Sequence, residues 1–175
     1  VCASGCYYVV SAADEIYVDG SSIVGSIGVR MDSFGFVDTL EKLGVERRLY
    51  TAGESKGFLD PFTPSKPEEV KHVKVLLENI HQQFIDAVKE GRGDRLKESS
   101  DLFTGLVWTG DESVPMGLVD KIGSSSYVAR EVIGAEDIVE FTEKPDFFQR
   151  LSDRIGVAMA KGLSQQLNSG FASVR

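Results

Sequence analysis

The spacing of apolar residues along this chain changes several times, and each change marks an element. Ser4 to Ala13 opens on small residues and predicts a first helix through Val9, Val10, Ser11, Ala12 and Ala13. Glu15-Ile16-Tyr17-Val18-Asp19 alternates with period two and predicts a short strand, turned by Gly20-Ser21-Ser22. Ile23 to Val29 is β-branched but interrupted by Gly25 and Gly28. Glycine within a strand marks a bend, a bulge or a close approach of another backbone. That run therefore reads either as a bent strand or as an edge that receives an extended peptide. Phe36, Val37, Leu40 and Leu43 predict a short helix closed by Gly44, and Val45 to Thr51 a further strand.

The longest element follows. Val70, Val73, Leu76, Leu77, Ile80, Phe84, Ile85 and Val88 mark one face of a helix that ends at Gly91 or Gly93. Ser65-Lys66-Pro67-Glu68 reads as its capping box. Asp94 to Asp101 predicts a charged, helical connection, and Asp111 to Met116 a short helix. Ser124 to Ile133 predicts another helix, and Ile138 to Phe141 a last strand. From Pro145 onward, Phe147, Phe148, Leu151, Ile155, Met159, Leu163 and Leu167 recur at helical spacing. Gly156 and Gly162 weaken that helix, so it needs docking to hold it. Strands alternating with helices argue an α/β arrangement. Its main body is expected at residues 1–145, with 146–175 as an amphipathic helix for packing or oligomer contact.

Composition narrows the function classes. A chain of 175 residues that is 42% hydrophobic can bury one sizeable core. A net charge of −8 argues against nucleic acid or an anionic membrane surface as the main partner. Cys2 and Cys6 have no histidine beside them, which disfavours a zinc site and suggests small buried hydrophobes. His72 and His81 lie on the long helix too far apart to share a metal, and read as surface or packing residues. No metal or cofactor is expected. No run reaches the roughly 20 apolar residues of a membrane span. The opening Val1-Cys2-Ala3-Ser4 lacks a methionine, so the chain is expected to be part of a longer protein whose upstream portion carries any anchor.

Candidate chemistry begins at Ser4. Small neighbours let a substrate backbone approach its hydroxyl, and a helix start leaves free N–H groups for a developing oxyanion. Serine is also a common helix N-cap, so the stretch alone fits either role. A serine nucleophile needs a base. No histidine stands near Ser4, and lysine serves only if burial lowers its pKa from ~10.4. Ile23, Ile27 and Val29 offer apolar walls and backbone edges suited to an extended peptide added as a strand.

Ala3-Ser4-Gly5-Cys6-Tyr7-Tyr8, Gly25-Ser26-Ile27-Gly28-Val29, Trp108-Thr109-Gly110 and Gly117-Leu118-Val119-Asp120 together resemble motifs of the bacterial signal peptide peptidases of the SppA and SohB type, peptidase family S49. Ala3-Ser4-Gly5-Cys6-Tyr7-Tyr8 is similar to that family's Ala-Ser-Gly-Gly-Tyr-Tyr around its nucleophile, and Ala12-Ala13-Asp14-Glu15-Ile16 to its Ala-Ala-Asp-Lys-Ile. Val24-Gly25-Ser26-Ile27-Gly28-Val29, Thr51-Ala52-Gly53-Glu54-Ser55-Lys56, Trp108-Thr109-Gly110 and Gly117 to Gly123 match further signatures in order. The resemblance implies a ClpP/crotonase-like fold built of β-β-α superhelix units, with its N-terminal part missing from this chain. It implies Ser4 as nucleophile, Lys56 as general base, Ser26 as the residue positioning the lysine, and Gly5 N–H as an oxyanion donor. Ile27, Gly28 and Val29 would bind the substrate. It also implies a ring-shaped homo-oligomer that hydrolyses leftover signal peptides at the bacterial inner membrane, held there by a segment absent from this chain. One departure is Cys6, where the family usually has glycine; its side chain must face away from substrate or narrow the pocket. Two other readings stand beside this one: a crotonase-type acyl-CoA enzyme on the same fold, and a non-catalytic scaffold.

Overall fold

The computed structural model describes residues 1–97, 99–135, 137–139 and 141. The chain divides into two compact units, Val1–Glu136 and Asp137–Arg175. The first holds every element below. The amphipathic helix expected after Pro145 lies outside the described residues.

Strand β1 (Cys2–Ala3) leads through Ser4 into α1 (Gly5–Val10), followed by β2 (Tyr17–Val18) and β3 (Ile23–Gly25). Helices α2 (Val37–Lys42) and α3 (Pro67–Arg92) come next, then β4 (Val107–Thr109), α4 (Gly110–Ser113), β5 (Lys121–Ile122) and α5 (Ser125–Tyr127). One sheet runs β1-β3-β4, with β1 and β3 parallel and β4 antiparallel to β3. The second pairs β2 with β5 in parallel. Parallel pairs need crossovers, so the α/β arrangement follows from the connections.

Sequence and structure differ where a partner or a single cap decides. Residues 45–51 are not a strand. Glu46 and Arg48 pair at 2.9 Å as side chains two apart do on extended chain, but no ladder forms and Val45, Leu49 and Tyr50 stay exposed. The Ser65 capping box does not form either. Pro67 takes the first helical position, which makes Lys66 the N-cap, without a side-chain cap bond. A true capping box opens α4 instead, with Thr109 and Glu112 bonding reciprocally. Helix α1 begins at Gly5 and stops at Val10, earlier than the expected run to Ala13. The expected helix at Ser124–Ile133 starts as one α turn and continues over Val128–Ile133 as a wider π turn, closed by Gly134 at φ 77°. Among the described residues of the charged connection only Asp94 and Arg95 are helical, in the tight 3₁₀ turn Gly93–Arg95, and Ile138, Val139 and Phe141 are not strand.

The core gathers Tyr7, Ile16, Val18, Val24, Ile27, Phe84, Val88, Leu102, Leu118 and Val119. Each such apolar side chain contributes roughly 1.5–3 kcal/mol relative to exposure. Helix α3 crosses the end of α1 so closely that a Cβ on Gly91 would overlap the Ser11 carbonyl. Trp108 lies over Gly25 in the same manner. A Cβ on Gly25 would meet its ring at 2.7 Å, and φ there is 96°. Gly25→Ala combines that clash with backbone strain and is expected to cost about 2–3 kcal/mol, read from a urea midpoint. A shift within about 0.5 kcal/mol would contradict the close approach.

Arg92, fully buried at the end of α3, ties three segments together. Its Nε donates to the Gly117 carbonyl at 2.8 Å, and its terminal nitrogens donate to both Asp120 oxygens at 2.8 and 3.0 Å. Ile16 N–H donates to the same carboxylate at 2.7 Å. Burial alone would raise the Asp120 carboxyl, but the Arg92 bonds, the Ile16 N–H and the charges of Arg92 and Arg95 outweigh it and hold it below the usual carboxylate range. A depressed folded pKa gives stability that is complete above the unfolded value of about 3.9 and is lost as pH falls through the folded one. The wild-type melting midpoint is therefore expected to fall steeply below about pH 4, and that part of the fall to vanish in Asp120→Asn. Parallel profiles for the two proteins would count against it.

Candidate active site

Ser4 occupies the corner between β1 and α1. Its N–H donates to the Gly25 carbonyl at 2.8 Å, and its own carbonyl accepts from Tyr8 N–H at 2.9 Å. The backbone there has φ 54° and ψ −125°. Positive φ at a non-glycine residue costs on the order of 1–3 kcal/mol, and such strain concentrates at functional sites. A serine on a sharp strand-to-helix corner holds its hydroxyl clear of the surrounding main chain. Ser4 is exposed, as that geometry requires.

Ser26 occupies the matching corner on the neighbouring strand. Ala3 pairs with Gly25, so Ser4 and Ser26 are the next residues along two parallel strands. Ser26 also has positive φ, 53°, and its N–H donates to the Leu106 carbonyl at 2.7 Å. Three non-glycine residues have positive φ among the described residues, and two of them are this pair.

The two corners open on a cleft of about 530 Å³. It is lined by Ser4, Gly5, Tyr8, Ser26, Gly28, Val29, Arg30, Ile80, Phe84, Thr104 and Gly105. Five of the residues expected from sequence thus meet in one place. Gly5, the first residue of α1, carries one of the N–H groups that a helix start leaves without an internal partner. Gly28 packs on Gly105, where a Cβ would come within 3.0 Å of the Gly105 Cα. Ile27 goes elsewhere. Gly28 N–H donates to the Ser26 carbonyl at 2.9 Å, closing a three-residue turn, and the Ile27 side chain is fully buried in the core.

Lys56 is not among the lining residues. It is exposed, on a turn in which its N–H donates to the Gly53 carbonyl at 3.1 Å. Within one chain the structure brings Ser4, Gly5 and Ser26 together and leaves Lys56 apart.

Several wall residues were not singled out from sequence. Ile80 and Phe84 belonged to the apolar stripe of α3, whose middle turns out to form one side of the cleft. Tyr8 packs on Phe84 with the rings tilted by 56° and their centroids 5.0 Å apart. His81 is a packing histidine, its Nε2 lying 3.1 Å from the Ile27 carbonyl and bracing the turn below Gly28. Arg30 is the one charged lining residue, and Asp32 pairs with it at 2.5 Å. Tyr7 anchors α1 from beneath, donating its hydroxyl to the Leu118 carbonyl at 2.7 Å, and burial pushes that phenol well above its ordinary range.

The cysteines are not both buried. Cys2 is half-buried, Cys6 is exposed, and neither lines the cleft. Cys6 therefore does not narrow the pocket. Its Sγ lies 3.5 Å from Cys2 Sγ. Burial, the hydrogen bond with Cys6 and the charge of Cys6 push the Cys2 thiol up to about 11.

Comparison with known proteins finds one family and several relatives. The family model described as Peptidase family S49 matches residues 1–138. A Na(+)/H(+) antiporter NhaA of Brucella abortus (strain 2308) is 51% identical over 134 residues, covering 77% of this chain and 18% of that protein. The chloroplastic serine protease SPPA of Arabidopsis thaliana is 31% identical over 127 residues, 72% of this chain and 19% of its own length. Protease 4 of Haemophilus influenzae is 31% identical over 122 residues, 70% of this chain and 20% of its own. The chain spans about a fifth of the length of these relatives. Among the described residues, no helix is long and apolar enough to cross a membrane.

Proposed function

Because this chain belongs to peptidase family S49, we propose that it is a serine endopeptidase in which Ser4 and Lys56 form a catalytic dyad. The observation that carries the reading is the strained, exposed Ser4 corner facing an open cleft beside its counterpart Ser26. The fold that accompanies this reading is ClpP/crotonase-like.

The steps follow from the residues. Ser4 Oγ attacks the scissile carbonyl while the neutral Lys56 amine removes its proton. Gly5 N–H donates to the oxyanion of the tetrahedral intermediate. Ser26 orients the amine. Protonated Lys56 then gives its proton to the leaving peptide nitrogen, and water, activated by the same amine, releases the acyl group from Ser4.

A lysine is neutral near pH 7 only where water is excluded from it. Lys56 on an exposed turn lacks that cover in a single chain. Exposed Leu43, Val45, Leu49 and Tyr50 lie in the segment before it. In a homo-oligomer this segment packs on a neighbouring copy and delivers Lys56 to that copy's Ser4 cleft. The substrate is an unfolded apolar peptide laid along Gly28 and Val29, such as a signal-peptide remnant at the bacterial inner membrane. A non-catalytic scaffold is the second reading, favoured by the position of Lys56 away from the cleft.

Mixing two inactive variants separates these readings. Ser4→Ala and Lys56→Arg chains are each expected to be inert toward an unfolded apolar peptide, and an equal mixture to recover roughly a quarter of wild-type turnover, since half the chains carry each intact partner at a repeated interface. Active wild type with no recovery on mixing would place the dyad within one chain. Inert wild type would support the scaffold.

A further inference from the structure

The dyad leaves Cys2 and Cys6 without a role, yet they bracket its nucleophile. We infer that the two thiols form a modification site, which a peroxide oxidises to a disulfide across Ser4 that switches the peptidase off. The switching rests on the Ser4 reading above; the site itself rests on the thiol geometry.

Cys2 precedes Ser4 on β1, held in register with Val24, and Cys6 follows it on the first turn of α1. Their sulfurs are 3.5 Å apart and both thiols are free. A disulfide needs a separation of about 2.05 Å, so an approach of about 1.5 Å completes the bond. Cys6 is exposed and lies off the cleft lining, so an oxidant reaches it with the cleft occupied or empty. At Gly5, between the two, a Cβ position has nothing within 4 Å, which leaves space for the arc to contract.

The chemistry balances with one peroxide. Cys6 sulfur attacks a peroxide oxygen; an S–O bond forms, the O–O bond breaks, and water leaves a sulfenic acid. Cys2 sulfur then attacks Cys6 sulfur; the S–S bond forms, the S–O bond breaks, and the Cys2 proton departs with the hydroxide as a second water. Two electrons pass from the thiols to the peroxide. A dithiol reductant reverses the result by exchange.

Closure acts on the residues that do the chemistry. Ala3, Ser4 and Gly5 form the arc between the sulfurs, and two backbone hydrogen bonds now set its shape: Ser4 N–H to Gly25, and Tyr8 N–H to the Ser4 carbonyl. Drawing the sulfurs together moves Ser4 Oγ and the Gly5 N–H against a cleft that stays fixed. A misplacement of about 1 Å at reacting atoms can cost about 10²-fold in rate.

The test treats the reduced chain with one equivalent of hydrogen peroxide and takes two readings. Intact mass and peptide mapping are expected to show loss of two hydrogens within one chain and a Cys2–Cys6 link. Hydrolysis of an unfolded apolar peptide is expected to fall by about 10²-fold and to return after dithiothreitol. Cys6→Gly and Cys2→Ala are expected to keep basal turnover, to form no intramolecular link, and to keep that turnover after peroxide. Oxygen added at Cys6 without a link, or a link between two chains, overturns the site. An intramolecular link with unchanged turnover overturns the switch. A link formed in a chain inert when reduced refutes the peptidase reading, and the switch with it, while the dithiol site stands.

Discussion

Replacing Ser4 with alanine is expected to lower turnover of an unfolded apolar peptide by about 10⁴-fold or more, and Lys56→Arg by as much. Ser4→Ala removes the hydroxyl that attacks at the strand-to-helix corner, leaving the cleft and the Gly5 N–H in place. Lys56→Arg keeps the charge and most of the length. Arginine stays protonated in proteins, so it cannot accept the serine proton. The double variant is expected to be no worse than either single one, because nucleophile and base act as one unit. Ser26→Ala is expected to be milder, since it loosens the amine and leaves the base present. Circular dichroism checks that each variant folds. Folded Lys56→Arg with near-normal turnover would remove Lys56 from the mechanism.

The largest stability effect is expected at Arg92. Arg92→Met is expected to cost about 3–5 kcal/mol, because it strips its main partner from a carboxylate shielded from water. Asp120 would retain the Ile16 N–H at 2.7 Å and Arg95 at a distant 3.5 Å, and the Gly117 carbonyl would lose its donor. Leu118, next along, accepts the Tyr7 hydroxyl that anchors α1. The loss therefore reaches the element that follows Ser4. Combining Arg92→Met with Asp120→Asn is expected to cost much less than the sum of the two single changes, since they remove the same interaction. Urea unfolding of the four proteins gives the coupling. A cost for Arg92→Met within about 0.5 kcal/mol would contradict the buried-pair account.

What could be read before the structure depended on how local each cause is. The place of Ser4 at a helix start was legible because small residues there lead into a helical run, while the strand before it and its positive φ were not. Helix α3 was legible because its apolar stripe, from Val70 to Val88, runs through about five turns. Ile27 was not. Alternation places it on the cleft floor with Ile23 and Val29, but positive φ at Gly25 and Ser26 ends the alternation and turns Ile27 inward. The glycine next to Ser26 was the one signal of that turn. Val45 to Thr51 has the composition of a strand, but a strand exists only with a neighbour to bond, and no local pattern supplies one. The cap of α3 shifted by one residue because Pro67 fixes the first helical position. Lys56 is the deepest case. Its motif and spacing mark it, while burial, which decides whether it can be a base, depends on what packs over an exposed turn.

The most direct test of the dyad is the rate at which a serine-directed fluorophosphonate labels the chain between pH 6 and 10, with the labelled residue located by peptide mapping. The account predicts a single label on Ser4, at a rate that falls by orders of magnitude in Lys56→Arg. Labelling of another residue, or an equal Ser4 rate in wild type and Lys56→Arg at every pH, would contradict it.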